Sequence, residues 1–215
     1  MNDTLNFAEA FRRGDDYPRK LLDIGCGLCL EGEDIIACGT SLVGVDQDGE
    51  TIRKAQNRLP EADFFTADAA LWLAGTATRF DAVLMRRPDL IFRSENWHAV
   101  FRRIPYVLKE GGRVIVTTPG RSEAELAAKW LRESAGNVRL TEINEAEEAF
   151  LVSAEDFMTM EKKENDRTRL IQDLAWEDDE PHPVCDLRTG QCTMITDKEE
   201  NENENIYTER ESDKT

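Results

Sequence analysis

Two glycines and an aspartate stand where they could bind a nucleotide-type ligand. Gly25 and Gly27 directly follow an apolar segment, and glycine lets the backbone approach a ligand without a Cβ atom in the way. The next residues form a helix-like segment, whose first N–H groups would be unpaired. Asp46 ends a second apolar segment 19 residues after Gly27, where a carboxylate can accept hydrogen bonds from both hydroxyls of a ribose. Together these residues favour a nucleotide-type cofactor.

The glycine spacing favours a cofactor other than a dinucleotide. A G-x-G-x-x-G fingerprint would place its third glycine at position 30, which is Leu30 in this chain. Asp23 with the short Gly-x-Gly instead resembles motif I of the class I S-adenosylmethionine-dependent methyltransferases. That family usually has a further glycine where this chain has Cys29.

The resemblance continues over residues 18–160 in the family's order and spacing. The passages that carry it are Gly44–Ala55, Phe65–Ala69, Phe80–Met85 and Tyr106–Val116. It implies an α/β fold with a doubly wound, seven-stranded, mostly parallel sheet of the Rossmann-like methyltransferase type, in which the last strand is antiparallel.

The resemblance also implies roles for individual residues toward S-adenosylmethionine. The turn would lie against the methionine portion, Asp23 would orient the turn and meet the amino acid end, and Asp46 would hold the ribose. Asp68 would accept a hydrogen bond from the adenine amino group, or serve only as the N-cap of the following helix. The expected cofactor-binding residues are Asp23, Gly25, Cys26, Gly27, Asp46, Gln47, Asp68 and Ala69.

Apolar and helical patterns alternate along the chain, which predicts parallel strands joined by crossover helices. We expect strands at 20–25, 42–46, 62–65, 80–85 and 112–118, and helices at 30–38, 49–58, 69–75, 96–109 and 121–134. Period-two patterns at Arg139–Ile143 and Phe157–Glu161 predict the sixth and seventh strands.

The resemblance and the charge distribution together predict three parts: a methyltransferase domain (1–164), a docked extension or hairpin (165–196) and a disordered acidic tail (197–215). Residues 165–215 hold 15 acidic and 6 basic residues, so they carry −9 of the net charge of −17. That charge disfavours nucleic acid and anionic membranes, although the tail could engage a basic protein partner. No apolar run of membrane-spanning length or secretory leader is visible, which predicts a cytoplasmic protein.

Five cysteines and the absence of a leader indicate a reducing compartment. Cys26 and Cys29 coincide with the expected cofactor turn, which disfavours a redox or zinc role. Cys185 and Cys192 flank a turn-like loop and are expected to lie in a hairpin. With His182 they would supply three metal ligands, and no fourth follows at zinc spacing, so we expect no metal.

The loop after the fourth predicted strand faces the expected acceptor side. It lacks the Asn/Asp-Pro-Pro-Tyr sequence of enzymes that methylate amino groups of bases and glutamines, and it only distantly resembles the loop of tRNA guanine-N7 methyltransferases. The expected substrate-side residues are Arg86, Arg87 and Asp89. Arg86, Arg87, Arg93, Arg102 and Arg103 form a basic island that could capture an anion or simply be a solvated face.

These observations predict methyl transfer from S-adenosylmethionine to a small and possibly anionic acceptor. Two alternatives stay open: a non-catalytic methyltransferase-fold scaffold that uses its acidic tail to bind a partner, and an RNA methyltransferase. No catalytic base can be assigned, because His98 lies in a predicted helix surface and His182 lies in the extension.

Overall fold

The computed structural model describes residues 6–143, 148–157, 183–185 and 192–194. The chain divides into two compact units, Met1–Asn165 and Asp166–Thr215. No helix in the described part is long and apolar enough to cross a membrane.

Strands and helices alternate through the first unit, as the sequence predicts. The helices are α1 (Phe7–Phe11), α2 (Gly32–Ala37), α3 (Gly49–Arg58), α4 (Ala69–Gly75), α5 (Ser94–Val107) and α6 (Arg121–Arg132). The strands are β1 (Lys20–Ile24), β2 (Ser41–Asp46), β3 (Asp63–Thr66), β4 (Phe80–Arg86), β5 (Leu108–Thr118), β6 (Ala135–Glu142) and β7 (Phe150–Phe157).

These strands form one seven-stranded sheet in the order β3-β2-β1-β4-β5-β7-β6. The first five pair in parallel, whereas β7 is antiparallel to both β5 and β6. The predicted fold class, including the antiparallel last strand, is therefore confirmed. The strand order reverses between β1 and β4, and in such sheets ligands bind beyond the carboxyl ends of the strands at this point.

The sheet is covered on both faces, which explains why its central strands are continuous apolar runs. In β1, Leu22 and Ile24 face one core cluster and Leu21 faces the other. Helix α6 buries a stripe of small and apolar residues with helical spacing. The members of this stripe are Ala124, Ala127, Ala128 and Leu131.

The seventh strand lies at Phe150–Phe157, so the predicted position at Phe157–Glu161 is wrong. Phe150, Val152 and Ala154 alternate with half-buried residues and turn their side chains into the core. The sequence does not predict this strand, because the apolar Leu151 interrupts the alternation of apolar and polar residues. The alternation is clearer at Phe157–Glu161, where the strand was expected.

Helix α5 and strand β5 also differ from their predicted bounds. The helix ends at Val107 because Leu108 adopts an extended backbone with ψ 144°, and β5 begins there. The sequence predicts that this strand begins at Gly112. Because it begins at Leu108 instead, Gly111 and Gly112 both lie within it, and the register between β4 and β5 shifts beside them.

The second unit contains a hairpin of β8 (Pro183–Cys185) and β9 (Cys192–Met194). Cys185 lies opposite Cys192 in its register, where the sequence predicts a hairpin. The rest of the predicted docked extension and the acidic tail lie outside the described residues.

Candidate active site

A cleft of about 320 Å³ opens where the strand order reverses. Its walls come from the carboxyl ends of β1, β2, β3 and β4 and from the first turns of α4 and α5. The lining residues are Gly25, Val45, Asp46, Gln47, Ala67, Asp68, Ala69, Arg86, Arg87, Pro88, Asp89, Arg93, Asn96, Trp97 and Val100.

The turn after β1 brings bare backbone to this cleft. Gly25 and Gly27 have φ angles of 69° and 52°, a conformation that glycine adopts without strain. A Cβ atom on Gly25 would lie 3.3 Å from Cη2 of Trp97, whereas one on Gly27 would meet nothing within 4 Å. The Gly25 N–H donates to the carbonyl of Val45 at 2.8 Å, which ties the turn to the end of β2.

Asp46 fixes the turn from the neighbouring strand. Its Oδ2 accepts a hydrogen bond from the Gly27 N–H at 3.0 Å, and its Oδ1 accepts from the Asp48 N–H at 2.9 Å. A carboxylate oxygen has two lone-pair sites, so both oxygens keep capacity for a further donor such as a ribose hydroxyl. The expected ribose residue is thus also part of the turn's own support.

Asp68 is the N-cap of α4. Its Oδ1 accepts a hydrogen bond from the Leu71 N–H at 3.0 Å. The capping alternative is therefore present in the structure, and the side chain still lines the cleft beside Ala69. Capping and ligand binding are compatible, because the cap uses one of two carboxylate oxygens.

Asp23 lies beneath the turn rather than on the cleft wall. Its carboxylate is 1% exposed, its Oδ2 accepts a hydrogen bond from the Cys29 thiol at 3.4 Å, and its Oδ1 has no hydrogen-bond partner. Burial raises the pKa of Asp23 from 3.8 to about 7, while the Cys29 hydrogen bond and the nearby charge of Arg86 act to lower it. The group is therefore poised between its protonated and ionised forms at neutral pH.

Cys29 has a φ of 51°, in the left-handed region. A residue with a Cβ atom pays roughly 1–2 kcal/mol for that conformation, which a glycine avoids. Its side chain is buried, and burial raises the pKa of both the Cys29 and Cys26 thiols, so both remain protonated at neutral pH.

Comparison with known proteins agrees with this geometry. Residues 21–112 match a family model described as "Methyltransferase domain". The fold resembles the N-methyltransferase NodS from Bradyrhizobium japonicum WM9, solved with S-adenosyl-L-homocysteine (TM-score 0.57, 17% identity, covering 65% of this chain and 78% of that one). The chain thus matches a methyltransferase domain over residues 21–112 and has the fold of S-adenosylmethionine-dependent methyltransferases. It also resembles a SAM-dependent O-methyltransferase from Thermotoga maritima (TM-score 0.54, 15% identity, covering 66% and 61%).

Two relatives of the methyltransferase domain are named trans-aconitate 2-methyltransferase. The one from Afipia carboxidovorans is 32% identical over 106 residues, which are 47% of this chain and 39% of that protein. The one from Rhodopseudomonas palustris (strain BisA53) is 30% identical over 102 residues, 46% of this chain and 34% of that protein. The matched part of the chain thus spans well under half the length of either relative.

The cleft of the methyltransferase domain collects eight of the eleven predicted site residues. They are Gly25, Asp46, Gln47, Asp68, Ala69, Arg86, Arg87 and Asp89. Asp23, Cys26 and Gly27 do not line it; Gly27 instead bonds Asp46, and the Cys26 thiol donates to the Gly27 carbonyl at 3.7 Å. A bare turn beside a strand-end carboxylate fits the amino acid and ribose parts of S-adenosylmethionine.

Arg86 is held in an ion-pair network that the sequence did not reveal. Its guanidinium bonds the buried Glu148 at 2.7 Å from both Nε and Nη2, and Nη1 pairs with Glu31. The same group lies 5.0 Å above the ring of Phe7. The two carboxylates neutralise the charge of Arg86, so this guanidinium would attract an anionic acceptor only weakly.

The first turn of α5 contributes three cleft residues that sequence reasoning did not assign to the site: Arg93, Asn96 and Trp97. The sequence assigns Arg93 only to the basic island. Within the described residues its side chain is exposed and makes no ion pair. Asp89 begins a short turn before the helix: its Oδ1 accepts a hydrogen bond from the Phe92 N–H at 3.1 Å, and its carbonyl accepts one from the Arg93 N–H at 3.2 Å.

His98 is not at the cleft. Its Nε2 lies 3.2 Å from Glu133 Oε2, and its ring stacks on Trp130 with centroids 5.0 Å apart. The residues lining the cleft include no histidine, and the described part of the chain holds no cluster of metal-ligating side chains. A general base therefore has no candidate among the described histidines.

The loop between the lining residues Asp89 and Arg93 ends in two exposed apolar side chains. Ile91 is 49% exposed and Phe92 is 90% exposed, whereas Leu90 before them is fully buried and anchors the loop.

Proposed function

We propose that the domain binds S-adenosylmethionine in the cleft and transfers its methyl group to a small carboxylate. The observation that carries the cofactor half is the meeting of the glycine turn, Asp46 and Asp68 at the point where the strand order reverses. Bound there, S-adenosylmethionine supplies an electrophilic methyl carbon.

We assign the ribose to Asp46 and the adenine to Asp68 and Ala69. We assign the amino acid portion to the bare backbone of the turn, where the Trp97 ring packs directly against Gly25 with Cη2 3.3 Å from the position of a Cβ atom. These side chains orient and shield the cofactor, and none of them needs to change its covalent state.

The acceptor half is supported by charge and by the cleft's composition. Arg87 and Arg93 both line the cleft, and Arg93 makes no ion pair among the described residues. An acceptor carboxylate is already ionised at neutral pH, so its oxygen could attack without a general base. A cleft with guanidinium groups and no histidine suits such a nucleophile.

The names of the sequence relatives support the same acceptor class, since trans-aconitate carries three carboxylates. The chain spans well under half of those relatives, so trans-aconitate serves as a first test compound.

Calorimetric titration with S-adenosylhomocysteine tests the cofactor site. We expect Asp46→Ala to weaken binding by roughly 1.5–3 kcal/mol, because it removes charge-assisted hydrogen bonds, and Asp46→Asn to weaken it less. Asp63→Ala is the matched control, since this exposed carboxylate begins the neighbouring strand β3 and does not line the cleft. Equal binding by the parent and Asp46→Ala would remove the ribose assignment.

Methyl transfer to trans-aconitate and to other small di- and tricarboxylates tests the acceptor site. We expect Arg93→Ala to raise the KM for the carboxylate by at least about tenfold while binding of S-adenosylhomocysteine stays within about twofold. Arg102→Ala, an exposed arginine on the same helix outside the cleft, should change neither value. Unchanged kinetics in Arg93→Ala would exclude this residue as the anion receptor.

A further inference from the structure

Asp23 and Cys29 form a buried pair directly beneath the cofactor turn. The thiol of Cys29 donates to Oδ2 of Asp23 at 3.4 Å, and both side chains are 1% exposed. Oδ1 of Asp23 is buried and has no hydrogen-bond partner, so the thiol provides the one hydrogen bond that the structure gives this carboxylate. A buried carboxylate with so few donors depends strongly on each of them.

The backbone conformation at Cys29 is unfavourable for a residue that has a side chain. Its φ of 51° is strained for a residue with a Cβ atom, and glycine would relieve that strain. The side chain also packs tightly, with Sγ 3.1 Å from the position of a Cβ on Gly32. The hydrogen bond to Asp23 is the contact that a glycine could not replace.

The two ends of the turn are thus anchored by carboxylates of neighbouring strands. Asp46, at the end of β2, holds the Gly27 N–H at 3.0 Å, and Asp23, in β1, holds the Cys29 thiol. Between them, the Cys29 N–H donates to the Cys26 carbonyl at 2.7 Å and closes the turn. A displacement of Cys29 would therefore be transmitted to Gly27 and to the Asp46 carboxylate.

We propose that Cys29 is a positioning residue, whose thiol holds the Asp23 carboxylate and thereby keeps the turn and Asp46 in the conformation that binds S-adenosylmethionine. This inference rests on the proposed function for its ligand. In this protein, the hydrogen bond between the Cys29 thiol and the Asp23 carboxylate would hold the turn at a position where a glycine would adopt the same backbone conformation without strain.

The charges around Asp23 set a pH dependence by which the pair can be detected. Cys29 and Cys26 face it from the turn, Arg86 from β4 and Asp46 from β2. Burial raises the folded-state pKa of Asp23 to about 7, so its contribution to stability is present below about pH 4 and is lost as the pH rises to about 7. The thiol stabilises the ionised form and lowers this pKa, so its removal should cost more at higher pH.

The test compares Cys29→Ala and Cys29→Ser with the parent, and uses Cys38→Ala as the control because Cys38 lies at the end of α2 away from Asp23. In denaturant unfolding, the stability deficit of Cys29→Ala should grow between about pH 5 and about pH 7.5. The deficit of Cys38→Ala should stay constant, and Cys29→Ser, which keeps a donor, should follow the parent.

In calorimetry near pH 7.5, Cys29→Ala should bind S-adenosylhomocysteine roughly tenfold more weakly than the parent, with Cys29→Ser within about threefold. A deficit of Cys29→Ala that is independent of pH, or binding equal to the parent, would reduce Cys29 to a packing residue and overturn the inference. Failure of the parent itself to bind would overturn the proposed function, while the unfolding profiles would still decide whether the thiol holds Asp23.

Discussion

Arg86 is the residue near the cleft whose loss should most affect stability. Its guanidinium neutralises Glu148, whose side chain is only 5% exposed. Arg86→Ala would leave that buried carboxylate with only the longer contact to Arg87, whose Nε lies 4.0 Å from Glu148 Oε1, so we expect a loss of up to about 3–5 kcal/mol. Urea unfolding of Arg86→Ala beside Arg102→Ala measures the loss, and adding Glu148→Gln to Arg86→Ala should restore part of it. A loss below about 1 kcal/mol would show that solvent already screens the pair.

The sequence alone predicts the positions of some site residues but not the contacts of others. Asp46 and Asp68 are foreseeable as cleft residues, because each follows an apolar strand whose end must lie at the ligand-binding edge. The partners of Arg86 are not foreseeable, since Glu148 lies 62 residues away and only the folded sheet brings the two together. The sequence therefore predicted Arg86 at the cleft but not that its charge is already neutralised.

At the scale of elements, α2 packs too closely on its neighbours to accept even one methyl group. A Cβ on Gly32 would lie 2.3 Å from Leu59 Cδ1 and 3.0 Å from Leu42 Cδ2. Helix propensity alone would make Gly32→Ala stabilising by up to about 1 kcal/mol. We expect the opposite sign, a loss of roughly 1–3 kcal/mol, because the buried Leu59 and Leu42 side chains, or the helix itself, must shift to admit the methyl group.

Gly75→Ala supplies the matched comparison for Gly32→Ala. Gly75 also lies in a helix, and a Cβ there would meet nothing within 4 Å. This substitution should be neutral or stabilising by up to about 1 kcal/mol in the same urea experiment. Stabilisation by both substitutions would mean that α2 adjusts freely.

The positions of the helices and strands could be predicted where one hydrophobic pattern was dominant. The prediction was wrong where two such patterns competed. The alternation of strands and helices through β5 follows from apolar runs separated by helical periods. The seventh strand was displaced because Leu151 hides the alternation of Phe150, Val152 and Ala154. Pairing with β5, which lies far away in sequence, decides that strand.

At the scale of the whole molecule, those members of the two core clusters that the structure describes lie between Phe7 and Phe157. The division of the chain at Asn165 agrees with this. We therefore predict that truncation after Asn165 leaves a domain that unfolds cooperatively and retains the parent's affinity for S-adenosylhomocysteine. Circular dichroism melts and calorimetry of the truncated and full chains check this. A broad, non-cooperative transition would show that the core needs the second unit.

The apolar loop tip at Ile91 and Phe92 has a consequence for the heat of acceptor binding. Burial of apolar surface lowers the heat capacity of a complex, whereas contacts confined to polar groups do so much less. An acceptor that carries an apolar substituent and covers Phe92 would therefore bind with an enthalpy that becomes steadily more negative on warming. A compact tricarboxylate, held by guanidinium groups deeper in the cleft, would show a nearly flat enthalpy over the same temperatures. The temperature slope of the binding heat thus reports how far the acceptor extends out of the cleft.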